Sequence, residues 1–109
     1  MKDDRVYLLH ILECIQRIEN YIHPGRDAFI QDTKTQDAVL RNLHTLTEST
    51  QKLSDKLKAS CPEVDWRAIS GFRNVVVHDY LGVDIDQIWH IVTVDLPVLV
   101  KHIEKLLHP

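Results

Sequence analysis

The sequence predicts an all-α protein: an up-down bundle of four principal helices plus a short helix. Three observations carry this expectation. Apolar residues recur at three- and four-residue steps almost throughout the chain. Glycine and proline are scarce, three and four in 109 residues, and most of them stand between the periodic stretches. No segment sustains the apolar–polar alternation of a half-buried strand. With 44% apolar residues, a chain of this length builds one core without metal or disulfide staples, which predicts a single domain over residues 1–109.

The first helix is expected from about Asp4 to Ile22, with Leu8, Ile11, Leu12, Ile15, Ile18 and Ile22 on one face. His23-Pro24-Gly25 stops it, because proline blocks continuation and glycine accepts unusual dihedrals. A short turn around Asp27 to Gln31 follows, and Asp32 or Thr33 caps the next helix. That helix is expected to be long, from about Lys34 to Ala59, with a seam of Leu40, Leu43, Leu46, Thr50, Leu53 and Leu57. Cys61-Pro62 breaks it. Asp65 caps a further helix whose inward residues are Trp66, Ile69, Phe72 and Val76, and Leu81-Gly82 ends it. The β-branched run Val75-Val76-Val77 also suits a strand, but the caps and spacing around it favour helix. The last helix starts near Asp84 and carries Ile88, Trp89, Ile91, Val92, Leu96, Leu99, Ile103 and Leu106 inward. Pro97 should kink or split it, with Asp95 as a second cap.

Net charge is −3 and the isoelectric point is near 6.1. This excludes a protein that coats nucleic acid non-specifically, so a nuclease must assemble its positive field locally. The opening Met1-Lys2-Asp3-Asp4-Arg5 lacks an apolar export stretch, and no run approaches the roughly 20 apolar residues of a bilayer span. Cytoplasmic localisation is the resulting expectation. Two cysteines, Cys14 and Cys61, make no disulfide framework.

Chemistry concentrates in residues 71–80, where Arg73, Asn74, His78 and Tyr80 interrupt core-type residues. On a helix Asn74 and His78 differ by about 40°, whereas Arg73 and His78 differ by about 140°. Asn74 and His78 therefore share a face. Arg73 must reach around the helix or meet a His78 from another chain. The helix end favours the imidazolium form, while a nearby Arg73 favours the neutral ring. Such opposing pushes suit an acid–base group.

The string Trp66-Arg67-x-Ile69-x-Gly71-Phe72-Arg73-Asn74-x-x-x-His78-x-Tyr80-x-Gly82-Val83-Asp84 resembles the R-x4-H-x-Y region of HepT-type proteins in the HEPN superfamily. Phe29-x-x-Asp32-x-x-Thr35-Gln36-Asp37-Ala38 and Asp95-Leu96-Pro97 extend the resemblance over nearly the whole chain. One departure falls in the long helix, where the family often has Gly-Glu-Ala and this chain has Thr47-Glu48-Ser49. The resemblance implies a HEPN-like bundle and a metal-independent ribonuclease toxin needing no cofactor. Arg73 and His78 would be its catalytic pair, with Asn74 in support. It also implies a homodimer, within a larger hetero-oligomer or alone, that brings two motifs to one cleft. The implied partner is an MntA-type nucleotidyltransferase antitoxin that adds AMP to Tyr80. RNA is the implied substrate.

Other constellations read as structural. His10 and Cys14 have a zinc-compatible spacing, but no second pair completes a site. His23, His44, His90, His102 and His108 read as surface polar residues, and Trp66 and Trp89 as packing residues. For Glu48 and Asp37 a structural hydrogen-bonding role is preferred over the alternative of a carboxylate pair near the cleft. A competing function, a non-catalytic nucleotide- or partner-binding subunit using Arg73 as a phosphate ligand, does not need His78.

Overall fold

A computed structural model describes residues 3–77 and 84–109, with side chains for 3–72 and 84–109. Every regular element among them is helical: α1 Asp4–Ile22, α2 Arg26–Gln31, α3 Thr33–Gln51, α4 Asp55–Ser60, α5 Trp66–Val77, α6 Ile85–His90 and α7 Leu96–Leu107, with a π-helical turn Ile91–Asp95 joining the last two. The four principal helices are thus α1, α3, α5 and the composite α6–α7. The chain forms a body about 41 Å long and 25 Å across.

The caps expected from sequence operate. Asp32 accepts from the backbone N–H of Lys34 at 3.0 Å and from the Thr35 hydroxyl at 2.8 Å. Asp65 accepts from Ala68 N at 3.0 Å. Asp84, expected only as the approximate start of the last helix, caps it as well, accepting from Gln87 N at 3.0 Å. Gly25 has φ 105°, a left-handed conformation that side chains resist, and lets the chain turn directly into α2. The segment expected as a turn is therefore a short helix. The Gln36 amide donates to the carbonyls of Phe29 at 2.8 Å and Ile30 at 3.0 Å, satisfying acceptors at the end of α2.

Helix α3 is central and packs against α1, α2 and α5, while α7 packs on α1. Ile11, Ile15, Ile18, Leu43, Leu46, Ile88, Leu96 and Ile103 are fully enclosed, each burial contributing roughly 1.5–3 kcal/mol. Leu12, Ile22 and Leu57 pack at the margin of this core, as do Trp66, Trp89 and Leu106, and Leu107 rather than Leu106 is buried.

Two expectations require correction. The long helix does not reach Ala59, since α3 ends at Gln51 and α4 begins at Asp55. Ser54 makes the break: its hydroxyl caps Leu57 N at 3.1 Å, and both its N–H and its hydroxyl donate to Asp4, at 2.8 and 2.6 Å. Leu53 remains buried, anchoring the corner. Asp95 is not a cap either: it keeps right-handed helical dihedrals and makes no capping bond. Pro97 lacks an N–H and its ring crowds the carbonyl four residues back. The helix widens instead of breaking, and Leu96 N–H reaches back five residues to the Ile91 carbonyl.

Candidate active site

Helix α5 carries Arg73 and Asn74 of the motif, and its first turn is held firmly. Asp65 caps it, and the Trp66 ring N–H donates to the carbonyls of Lys58 at 3.1 Å and Cys61 at 3.2 Å. Ile69 and Phe72 are buried and fix the rotation of α5 against α3. Arg73 and Asn74 follow Phe72 directly, so their place on α5 is set by that anchoring. Val75, Val76 and Val77 complete the helix, which resolves the strand ambiguity. The side chains of Arg73, Asn74 and Val76, and the residues His78, Tyr80, Leu81 and Gly82, lie outside what the structure describes.

Beside this helix runs a groove of about 310 Å³, lined by Ala68, Gly71 and Phe72 of α5 on one side and Gln87, His90, Ile91 and Asp95 on the other. The π-helical turn forms part of its wall, and such turns recur at functional sites. His90 and Asp95 form a long, exposed contact of 3.8 Å across that turn. The sequence alone gives His90 as a surface residue and Asp95 as a cap, since nothing in their five-residue spacing signals a groove.

The departure at Thr47-Glu48-Ser49 is absorbed without loss of packing. Thr47 is enclosed and its hydroxyl donates to the Leu43 carbonyl at 2.8 Å. The buried Ser49 hydroxyl lies 2.7 Å from His10 Nδ1, a bond joining α3 to α1. His10 is therefore used in helix packing, and Cys14 Sγ lies 3.8 Å from its Nε2. Cys14 is fully enclosed, and burial pushes its thiol up from the ordinary cysteine range.

Glu48 and Asp37 do not form a pair. Both lie exposed on α3, about 16 Å apart along the axis at 1.5 Å per residue. Glu48 instead contacts His44 at 3.0 Å. Trp66 and Trp89 are packing residues as expected, Trp89 lying 5.5 Å from the Phe29 ring. His23, His90 and His108 are exposed, but His102 is half-buried beside Cys61 and Glu63. That is a correction to its surface reading.

The chain belongs to the HepT-like ribonuclease family, whose model matches residues 11–106. It is 36% identical over 101 residues to the probable ribonuclease HepT of Thermococcus cleftensis, covering 92% of each chain. A candidate RNase of Methanocaldococcus jannaschii is 33% identical, over 97% of this chain and 88% of that one. A candidate RNase of Caldanaerobacter subterraneus is 32% identical, over 98% and 96%. No solved structure matches the chain significantly. The fold is accordingly an all-α HEPN-like bundle. Among the described residues no helix is long and apolar enough to cross a membrane.

Proposed function

We propose that the chain is a metal-independent endoribonuclease and the toxin of a two-component system, with Arg73 and His78 as its catalytic pair. The observation that carries this reading is the R-x4-H-x-Y string on and after α5, within a chain of a ribonuclease family. His78 removes the proton from a ribose 2′-hydroxyl, whose oxygen attacks the adjacent phosphorus. Arg73 stabilises the charge that develops on the phosphoryl oxygens. A second histidine protonates the departing 5′-oxygen, leaving a 2′,3′-cyclic phosphate. One chain offers a single motif histidine, so a two-fold homodimer supplies the other and doubles the local positive charge. That concentration reconciles RNA binding with a net charge of −3. Asn74 orients either partner by hydrogen bonding.

Regulation in this reading falls on Tyr80. A small MntA-type nucleotidyltransferase adds AMP to its phenol in the cytoplasm. The added phosphodiester then competes with substrate phosphate for Arg73. The enzyme and antitoxin assemble either as a dimer-based complex or as a larger hetero-oligomer.

The test is RNA cleavage by the purified chain in EDTA, with analysis of product ends. Cleavage without metal and a 2′,3′-cyclic terminus are expected, with a loss of about 10²–10⁴-fold in His78→Ala. Dependence on added Mg²⁺, or cleavage of a substrate lacking the 2′-hydroxyl, overturns the mechanism. Undiminished toxicity in a folded His78→Ala chain instead selects the non-catalytic binding subunit. Tyr80→Phe is expected to stay active and escape silencing by modification.

A further inference from the structure

We propose that Cys61, Glu63 and His102 form a binding site for a zinc-class divalent cation, where the loop between α4 and α5 meets α7. The thiol sulfur, a carboxylate oxygen and an imidazole nitrogen all lie within 4.8 Å of one another. Cys61 is almost fully buried, and its sulfur is 3.5 Å from Glu63 Oε2.

The donor set selects the ion. Sulfur, nitrogen and oxygen together suit zinc or cobalt, whereas magnesium and calcium favour all-oxygen shells. Zinc bonds of about 2.0–2.3 Å place tetrahedral ligands roughly 3.3–3.8 Å apart. The cysteine–glutamate separation already fits. The remaining contraction, on the order of 1 Å, lies within the reach of side-chain torsions. The loop backbone is already set, because the Trp66 ring holds the Cys61 carbonyl and Pro62 restricts the residue between the two ligands.

Local charge favours a cation. Glu63 has no ion-pair partner among the described residues. A cavity of about 280 Å³ adjoins it, lined also by Asp65, Asp95 and His102, which gives water access to a fourth coordination position. Lys105 is the opposing charge close enough to act on the thiol. Without metal, burial pushes the Cys61 thiol up, and the bond to Glu63 and its charge push the same way. The sulfur therefore holds its proton, and binding exchanges it: Cys61–SH and M²⁺ give Cys61–S–M⁺ and one proton released to solvent. The ion ties the loop that launches α5 to α7.

The test is titration of the chelator-stripped chain with Co²⁺, followed by visible and near-ultraviolet absorption. Expected are one ion per chain, a thiolate-to-cobalt charge-transfer band and tetrahedral d–d bands. Zinc at 100-fold above its Kd should raise the melting temperature by about 12 °C. Cys61→Ser should abolish the charge-transfer band, His102→Asn should weaken binding at least tenfold, and Cys14→Ser should change neither. Absence of the band from the parent chain overturns the proposal. So does a band that survives Cys61→Ser but disappears in Cys14→Ser, which would put the ion at His10 and Cys14. Circular dichroism checks the fold of each variant. If Cys61→Ser does not fold, His102→Asn decides alone, and parental affinity in that variant refutes the site.

Discussion

Replacing Ser54 by alanine probes the link that separates α3 from α4. The substitution removes two interactions: the cap on Leu57 N at 3.1 Å and the hydroxyl donation to Asp4 at 2.6 Å. Loss of a serine cap costs about 1 kcal/mol. The bond to the carboxylate adds about 0.5 kcal/mol, because its exposed charge is screened by water. Helix α4 has no buried residue of its own to offset the loss. An unfolding entropy of about 2.1 cal/mol/K per residue converts the total of about 1.5 kcal/mol into a fall of about 7 °C in Tm. The pH dependence is equally specific. The Ser54 hydroxyl first, and its backbone N–H second, hold the Asp4 carboxyl below its ordinary range. A carboxyl lowered on folding stabilises above its unfolded pKa, near 4, and loses that contribution as pH falls through the folded value. The deficit of Ser54→Ala should therefore shrink towards the cap term alone in acid. Urea unfolding followed by far-ultraviolet circular dichroism at pH 7 and pH 3 measures both numbers. A deficit below about 0.3 kcal/mol at pH 7, or one that grows in acid, refutes the reasoning.

Two further outcomes follow from the core. Phe29→Ala should cost about 3–5 kcal/mol, because the ring is 1% exposed and packs on Trp89; a loss below about 1 kcal/mol in denaturant unfolding would contradict that packing. In a Cys61→Ser background, Cys14 should react with a disulfide reagent at pH 8 at least about tenfold more slowly than in urea, since burial both shields the sulfur and raises its pKa. A thiol raised on folding also makes stability fall as pH rises past about 8.5, where the unfolded chain ionises first. Equal labelling rates with and without urea would exclude an enclosed Cys14.

The helical class, most of the inward faces and the caps at Asp32 and Asp65 were determined by sequence alone. Periodicity and capping depend on residues a few positions apart, and a linear reading has access to all of them. The family motif was legible for the same reason: Arg73, Asn74, His78 and Tyr80 lie in one short string. Only the backbone place of Arg73 and Asn74 on α5 has been added to it. Tertiary structure decided whatever depends on distant partners. Ser54 looks like an ordinary helix-surface serine until Asp4, fifty residues away, accepts both its hydrogen bonds. His10 finds Ser49 only because α1 packs on α3, and His102 meets Cys61 and Glu63 only where α7 passes the α4–α5 loop. Pro97 was legible as an interruption of the last helix, a kink or a split, but that it takes the form of a widened π turn at Ile91–Asp95 was not. Hydrophobic spacing tells a helix which face to bury, but polar side chains choose partners only after those faces have docked.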